Sequence, residues 1–491
     1  MQVIDRRNFV KTVVKAGAVA TVTLPAITGS SRVIGANDTV NVAIVGLNGK
    51  GRAHIGSFRE LPNVRIIALC DVDKAVLKRE VDKFTKRGEK VETYTDYRKL
   101  LENKHVDAVV LATPNHWHSL QTVWGCQAGK DVYVEKPVSH NVWEGRKAVE
   151  AARKYKRIVQ AGIQGRSGEA VKEVFEYIHS GNLGTMRAVY GLCYKRRKSI
   201  GKVNGIQPIP ETVDYNLWTG PAQLKPLKRE RLHYDWHWQW ATGNGDIGNQ
   251  GVHEMDLCRR AVNQAGLPNR VISFGGRFGY DDDGETANMQ VAILDYDPVP
   301  VIFEVMGLPG RKDSDAMSNY KGSRVGFVVE CEDGYFAGGS GGGWIYDNKG
   351  KKVKQFSGTG GKQHAANFID AVRSRKVSDL NADIEEGHIT SALCHLSNIS
   401  YRLGESTAPD QVKERIRTYP NALDSYSRFD QVLFSNWIDL NKTKAAVGPL
   451  LEIDTKNERF KDGLGEYNIQ RWANDMLKEQ YRAPFVVPEK V

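Results

Sequence analysis

Three groups of residues in this chain have types and spacings suited to chemistry. The first is Gly46-Leu47-Asn48-Gly49-Lys50-Gly51, followed 20 residues later by Asp71. Gly46 permits a tight turn, and Gly51 lets a helix lie against the preceding strand. Backbone N–H groups at the helix start can then hold a pyrophosphate. Asn48 stands where a G-x-G-x-x-G pattern has its middle glycine. Asparagine tolerates left-handed backbone angles, so the turn survives, and close phosphate approach falls to Gly49. An acid at the spacing of Asp71 binds a ribose 2′-hydroxyl and repels a 2′-phosphate, which favours NAD over NADP.

The second group is Thr113-Pro114-Asn115-His116-Trp117-His118 together with Glu135-Lys136-Pro137, each at the end of a short apolar run. Gln164 and Arg166 follow the next such run and are expected to line the same cleft. The third group runs from His233 to Asp256 and includes Trp236, His237, Trp238, Trp240, Asp246, Asn249 and His253. The alternating tryptophans predict an extended segment with the three rings on one face. Aromatic rings beside Asn, Gln, Asp and His suit a sugar, whose C–H faces stack while its hydroxyls hydrogen-bond. A zinc site from His233, His237 and His253 is not expected, because the aromatic alternation marks extended chain rather than a helix. Lys195 and Arg196, in the run Tyr194-Lys195-Arg196-Arg197-Lys198, are read as cleft cations for substrate.

These residues need a scaffold that brings strand ends together. Apolar, β-branched runs at 40–45, 64–70, 106–112, 132–134 and 158–161 alternate with helix-spaced segments at 52–61, 119–128 and 143–155. That alternation predicts a parallel sheet of the Rossmann type, with ligands at the carboxyl ends of its strands. Beyond residue 162 the texture changes. Strand-like runs at 186–194, 271–278, 287–294, 299–306 and 325–331 are separated by Gly and Asp turns. They predict an α+β domain with a large, mainly antiparallel sheet. Gly338–Gly343 reads as a turn between strands, and His388 and His395 as structural residues of an apolar helix over 389–403. The expected division is therefore a leader at 1–36, a Rossmann domain at 37–161, and a substrate and oligomerisation domain at 162–491 with a helical C-terminal tail.

The glycine loop, the acid after the second strand, Thr113-Pro114-Asn115-His116 and Glu135-Lys136-Pro137 together resemble the Gfo/Idh/MocA oxidoreductases. The tail Glu479–Pro488 resembles the ending of a bacterial branch of that family, so the likeness spans nearly the whole chain from residue 40. The resemblance implies an open-faced sheet packed beside the nicotinamide, with Lys136 near the reacting hydroxyl and Pro137 in the cis form. Thr113, Pro114, Asn115, His118, Glu135 and Lys136 then join Gly46, Asn48, Gly49, Gly51 and Asp71 around the cofactor. It also implies an Asp-x-x-x-His dyad in which histidine is the general base. This chain keeps His253 but has Asn249 where the Asp stands, which shifts acid–base work towards Lys136, His237 or Asp246. The implied activity is NAD-dependent oxidation of a secondary hydroxyl on a sugar, glycoside or cyclitol, in a homodimer or homotetramer. Two alternatives stand beside it. One is a redox-neutral, NAD-assisted glycoside hydrolase or lyase, and the other is a non-catalytic sugar-binding protein on the same fold.

Composition limits the rest. The 491 residues include 41% hydrophobic and 26% charged residues, an ordinary globular mix for two domains. The formal charge is +11, of which +4 lies in the first 36 residues. There Arg6-Arg7-Asn8-Phe9-Val10-Lys11 precedes a modestly apolar stretch, the pattern of a twin-arginine export signal, so an exported protein is expected. The stretch is too short and too polar to span a bilayer, and stable membrane insertion is not expected. The remaining basic residues are scattered, without the basic-aromatic stripe of a nucleic-acid binder. The six cysteines contain no Cys-x-x-Cys pair, and Cys70, Cys193 and Cys258 sit among apolar neighbours, as buried thiols do.

Overall fold

The computed structural model describes residues 39–359, 361, 363–461 and 469–491. The export signal expected at 1–36 lies outside the described residues. The chain begins as β1 (Val40–Val45), α1 (Lys50–Arg59), β2 (Val64–Cys70), α2 (Lys74–Thr85), β3 (Glu92–Tyr94) and α3 (Tyr97–Leu101). It continues as β4 (Ala108–Leu111), α4 (Asn115–Gln127), β5 (Asp131–Glu135), α5 (Val142–Lys154) and β6 (Val159–Gly162). The six strands form a parallel sheet in the order β3-β2-β1-β4-β5-β6. β4 and β5 are buried along their whole length, as strands covered by helices on both faces must be. Val45 is level with Cys70 and Leu111, and Leu111 is level with Val134. The turns after β1, β2, β4 and β5 therefore open on one edge of the sheet. The strand order reverses between β1 and β4, which is where doubly wound sheets bind ligands.

The second sheet is built from β7 (Met186–Tyr194), β8 (Arg270–Gly276), β9 (Met289–Asp295), β10 (Val301–Met306), β11 (Val325–Cys331), β12 (Gly334–Gly339), β13 (Gly342–Asp347) and β14 (Lys352–Ser357). The short strands β15 (Glu405–Thr407), β16 (Ala445–Val447), β17 (Leu451–Asp454) and β18 (Arg459–Phe460) bring it to twelve. Its main path is β14-β13-β12-β11-β7-β10-β9-β8-β16-β15. β7 and β10 run parallel, and the other paired strands are antiparallel.

Helices cover the centre of this sheet, which stays open along β13 and β14. The helices after β6 are α6 (Glu169–His179), α7 (Tyr215–Thr219), α8 (Gly245–Asn249), α9 (Gly251–Ala261), α10 (His364–Ser374), α11 (Ile384–Arg402), α12 (Pro409–Ile416), α13 (Pro420–Ser435) and, in the C-terminal tail, α14 (Ile469–Asp475). α6, α9 and α11 cover one face through Val174, Cys258, Leu393 and their neighbours. α12 and α13 cover the other, with Ile416, Tyr426, Phe429 and Leu433 against Tyr190, Phe274, Val291 and Ile302. The strands carry the signature of this double covering, since β10 (Val-Ile-Phe-Glu-Val-Met) is buried at all six positions.

The last strand of the first sheet ends at Gly162, and the packing crosses that point. α10 returns to the first sheet and sets Phe368 and Ile369 against Ile44, Phe58 and Tyr133. Ala382 and Ile384 join the core on that sheet's other face. The C-terminal stretch places Phe485 and Val487 on Trp117 and Leu120 of α4, and the last residues, 476–491, form turns and bridges rather than a helix. All six cysteines are buried free thiols. Among the described residues no helix is long and apolar enough to cross a membrane.

Candidate active site

A cavity of about 430 Å3 opens on the carboxyl edge of the first sheet and is closed on its far side by residues of the second domain. Its floor is the glycine turn. Gly46 has φ +78°, and a Cβ there would stand 2.7 Å from the Ala112 carbonyl oxygen. A Cβ on Gly51 would stand 1.7 Å from the Gly46 oxygen, so the close helix–strand contact admits only glycine. Gly49 (φ +60°) has nothing within 4 Å of that position, and no side chain caps the first turn of α1 behind it. The N–H groups of that turn are placed to receive an anion. Asn48 lines the cavity, while its Oδ1 accepts from Arg79.

Asp71 follows β2 and also lines the cavity. Its Oδ2 accepts from the Leu47 N–H at 2.7 Å and its Oδ1 from the Asp73 N–H at 2.9 Å. Burial raises its pKa from the ordinary aspartate value, against the pull of those two N–H bonds. Two lone-pair positions remain on the carboxylate for a ribose diol. A glycine turn that only glycine can form, an uncapped helix start and an anchored acid together fit a dinucleotide.

Beside this pyrophosphate-type cradle lies the Glu135-Lys136-Pro137 motif, with the Lys136–Pro137 peptide cis. Glu135 is buried and receives His54 Nε2 and Gln164 Nε2, both at 2.9 Å, with Lys50 Nζ at 3.6 Å. Burial alone would raise its pKa, but Lys50, His54 and Lys136 outweigh it and hold the carboxyl well below the usual range. Lys136 lies in the cavity wall, and its Nζ donates to the backbone oxygen of Asn249 at 2.6 Å. Burial, aided by Lys50, lowers its pKa from the ordinary lysine value. Thr113 donates to Gln121 at 2.7 Å, Pro114 stands at the N-cap of α4, and Asn115 donates to Asn244 across the domains at 2.9 Å. The His118 ring nitrogens meet the Thr113 and Pro137 carbonyl oxygens at 2.7 and 2.6 Å, tying the ends of β4 and β5 together.

The opposite wall comes from α8 and α9. Asn249 ends α8, and His253 lies in the first turn of α9, both facing the cavity. Burial, with Lys136 nearby, pushes His253 down to about 3, so its imidazole is neutral at neutral pH and keeps one ring nitrogen as a hydrogen-bond acceptor. His237 is pushed down to about 3 in the same way. Its Nδ1 faces the Tyr234 carbonyl oxygen at 2.5 Å, which fixes the proton on Nδ1 and leaves Nε2 as a lone pair. Asp246, in contrast, is held by both ends of the Arg197 guanidinium at 2.9 and 2.7 Å and does not line the cavity.

Several expected site residues stand elsewhere. The tryptophan segment is not extended: Asp235–Trp238 is a turn of 3-10 helix, so the rings do not share a face. Trp236 lines the cavity and stacks on His237 at 3.6 Å. Trp238 is buried away from the cavity beneath Arg197. Gln164 lies behind Glu135, and Arg166 is paired with Asp256. Lys195 donates to Gln250, and Arg196 faces a separate cavity. Their charges are spent on the second domain's own polar groups. Sequence reasoning missed Lys50, Trp117, Gln121, Trp218 and Tyr234 as cavity residues. It also missed the His233–Asp73 bond of 2.9 Å, which with Lys74 N–H to Thr212 O pins the loop after β7 across the end of β2. Among the described residues no cluster of three His, Cys, Asp or Glu side chains is arranged around a metal position.

A parallel sheet of the Rossmann type and a mixed sheet beside it make up the fold. Residues 40–163 match the NAD-binding Rossmann-fold domain of the Gfo/Idh/MocA oxidoreductase family, and residues 167–267 match that family's C-terminal alpha/beta domain. The two matched segments together cover a little under half of the chain, and the chain spans only about a quarter to a half of the length of the curated relatives it matches. It is 34% identical over 120 residues to a glycosyl hydrolase family 109 protein of Shewanella baltica, spanning 23% of this chain and 26% of that relative. A family 109 protein of Shewanella pealeana is 25% identical over 257 residues, spanning 43% and 56%. Among solved structures, the WlbA dehydrogenase of Bordetella pertussis, in complex with NADH and UDP-GlcNAcA, shares the fold with a TM-score of 0.53. It is 18% identical and covers 72% of this chain and 94% of its own.

Proposed function

We propose that this protein is an NAD-dependent oxidoreductase acting on a secondary hydroxyl of a sugar, glycoside or cyclitol. The observation that carries this reading is the convergence of Lys136 and the neutral His253 imidazole on the cavity that holds the glycine turn and Asp71. Bound NAD would accept hydride from the carbinol carbon. The chain's own part is to orient the hydroxyl with the Lys136 ammonium and to take its proton on a histidine, His253 or the tautomer-fixed His237. Asp71, by accepting from a 2′-hydroxyl and repelling a 2′-phosphate, supports NAD over NADP. The loop pinned by His233 supports a tightly held cofactor. The twin-arginine pattern supports export of the folded protein with its nucleotide in place.

A second reading is supported by the relatives named glycosyl hydrolases and by the absence of an acid at Asn249. Here oxidation of a hydroxyl to a ketone would be followed by elimination of the aglycone as its alcohol, addition of water to the unsaturated ketone, and return of the hydride, with no net change in NAD. One assay separates the two. The purified protein is incubated with candidate glycosides, nicotinamide is followed by absorbance, and products are weighed by mass spectrometry. A keto-sugar with NADH establishes the dehydrogenase, and free sugar without net NADH establishes the hydrolase. A protein that neither retains nor binds NAD sinks both.

A further inference from the structure

Arg196 leads to a second cavity, of about 590 Å3, formed by the loops after β7, β8 and β10 and by the end of α13. Those three strands run in the same direction, so their loops meet at one end of the sheet. Trp437 lines this cavity with 75% of its surface exposed. Its backbone is unusual. After α13 the Trp437 N–H bonds to Phe434 O at 2.9 Å and the Ile438 N–H bonds to Leu433 O at 3.0 Å, the two bonds of a Schellman helix end. The residue between cap and exit in that motif is usually glycine, because it must be left-handed. Here it is a tryptophan with φ +63°, and a bulky side chain in that region is a genuine outlier. Packing does not explain it, since the ring is exposed. Lys312, which also lines the cavity, fixes it from one side, with Nζ 4.1 Å from the ring centroid.

The rest of the wall is balanced in charge. Arg196 and Lys312 face Asp313 and Asp315, and the Tyr280 hydroxyl joins Arg196 to the backbone of Arg197, whose guanidinium holds Asp246. An anion would meet two carboxylates and a cation two basic groups. A neutral polyhydroxylated ring finds donors, acceptors and an aromatic platform for its C–H face. We propose that this second cavity is a binding site for a neutral oligosaccharide, with Trp437 as its stacking platform. The proposal goes beyond the reading of the first cavity and does not depend on it.

The test is titration calorimetry of the full-length protein with cellotriose, maltotriose and mannotriose, beside Trp437→Gly and Trp437→Tyr. At least one trisaccharide should bind saturably. Trp437→Tyr should retain binding, whereas Trp437→Gly should weaken it about tenfold or more, the expected effect of removing an aromatic platform. The melting temperature of Trp437→Gly should be equal to or above that of the parent, because glycine relieves the left-handed residue. Sugar binding confined to the first cavity would leave Trp437→Gly unchanged and overturn the proposal. So would no binding of any of the three sugars, or a lower melting temperature of Trp437→Gly, which would make the ring a packing anchor. Concentration-dependent self-association that Trp437→Gly abolishes would assign the surface to a second copy of the chain instead.

Discussion

Lys136 and Asn249 meet through a backbone atom, and that decides what each substitution should do. The Lys136 ammonium rests on the Asn249 carbonyl oxygen, which every residue type at 249 supplies. Asn249→Ala should therefore change kcat by less than about tenfold, about 1.4 kcal/mol, with any larger effect falling on KM. Lys136→Ala removes the cation itself and should lower kcat by about 10²–10⁴, the usual worth of a positioned proton-transfer group. Steady-state kinetics on both variants check this, with retained nucleotide measured alongside to show that the cradle is intact. Equal losses in the two variants would mean that the Asn249 side chain carries chemistry after all.

Helix α13 is held over the second sheet by a buried charge. Glu304, on β10, is fully buried and receives the guanidinium of Arg428 together with the hydroxyls of Ser425 and Tyr194. Arg428→Met leaves that carboxylate without its cation and should cost about 3–5 kcal/mol of stability, read as a shift in the urea midpoint. Replacing Glu304 and Arg428 together with apolar residues should recover most of it. Nothing in the local sequence announces this pair, because Glu304 interrupts an apolar strand and its partner lies 124 residues away. Elements bounded by their own turns were legible. β7 and β11 fall where the apolar runs at 186–194 and 325–331 place them, and the β1 turn and Asp71 stand as their spacing requires. β12 and β13 were hidden because their glycines break the apolar pattern. The tryptophan turn was misread because a two-residue aromatic spacing mimics a strand, whereas Gly243, packed against the backbone of His237, folds the segment back. Trp218 could not be found from spacing, since it reaches the cavity on the short helix α7, outside the three motif groups.

The molecule as a whole should be acid-sensitive. Burial pushes His116, His237, His253 and His395 down to about 3 and His364 to about 4, all from an ordinary value of 6.5. Between those values the unfolded chain binds protons that the folded chain refuses, so stability rises with pH there. The histidine contribution should be full above pH 6.5 and lost progressively as pH falls towards 4, opposed by Glu144 and Glu254, which burial raises to about 7 and about 8. His140 acts in the opposite sense: burial is outweighed by Glu479 and Glu144, which raise it to about 9, so its contribution is full below pH 6.5 and lost as pH rises through 9. Melting temperatures from pH 9 to pH 4 check both limbs, and a flat acid limb would contradict the burial of these rings. The helix pair over the second sheet has a further consequence, one of mass action. An exposed sheet face that awaits another subunit makes folding second-order, so dilution weakens it. Here the covering layer is tethered to the sheet it covers and remains at a fixed effective concentration however dilute the solution. The core under these helices should therefore stay formed in the isolated chain, and the melting temperature of the monomer should not move over a hundredfold dilution.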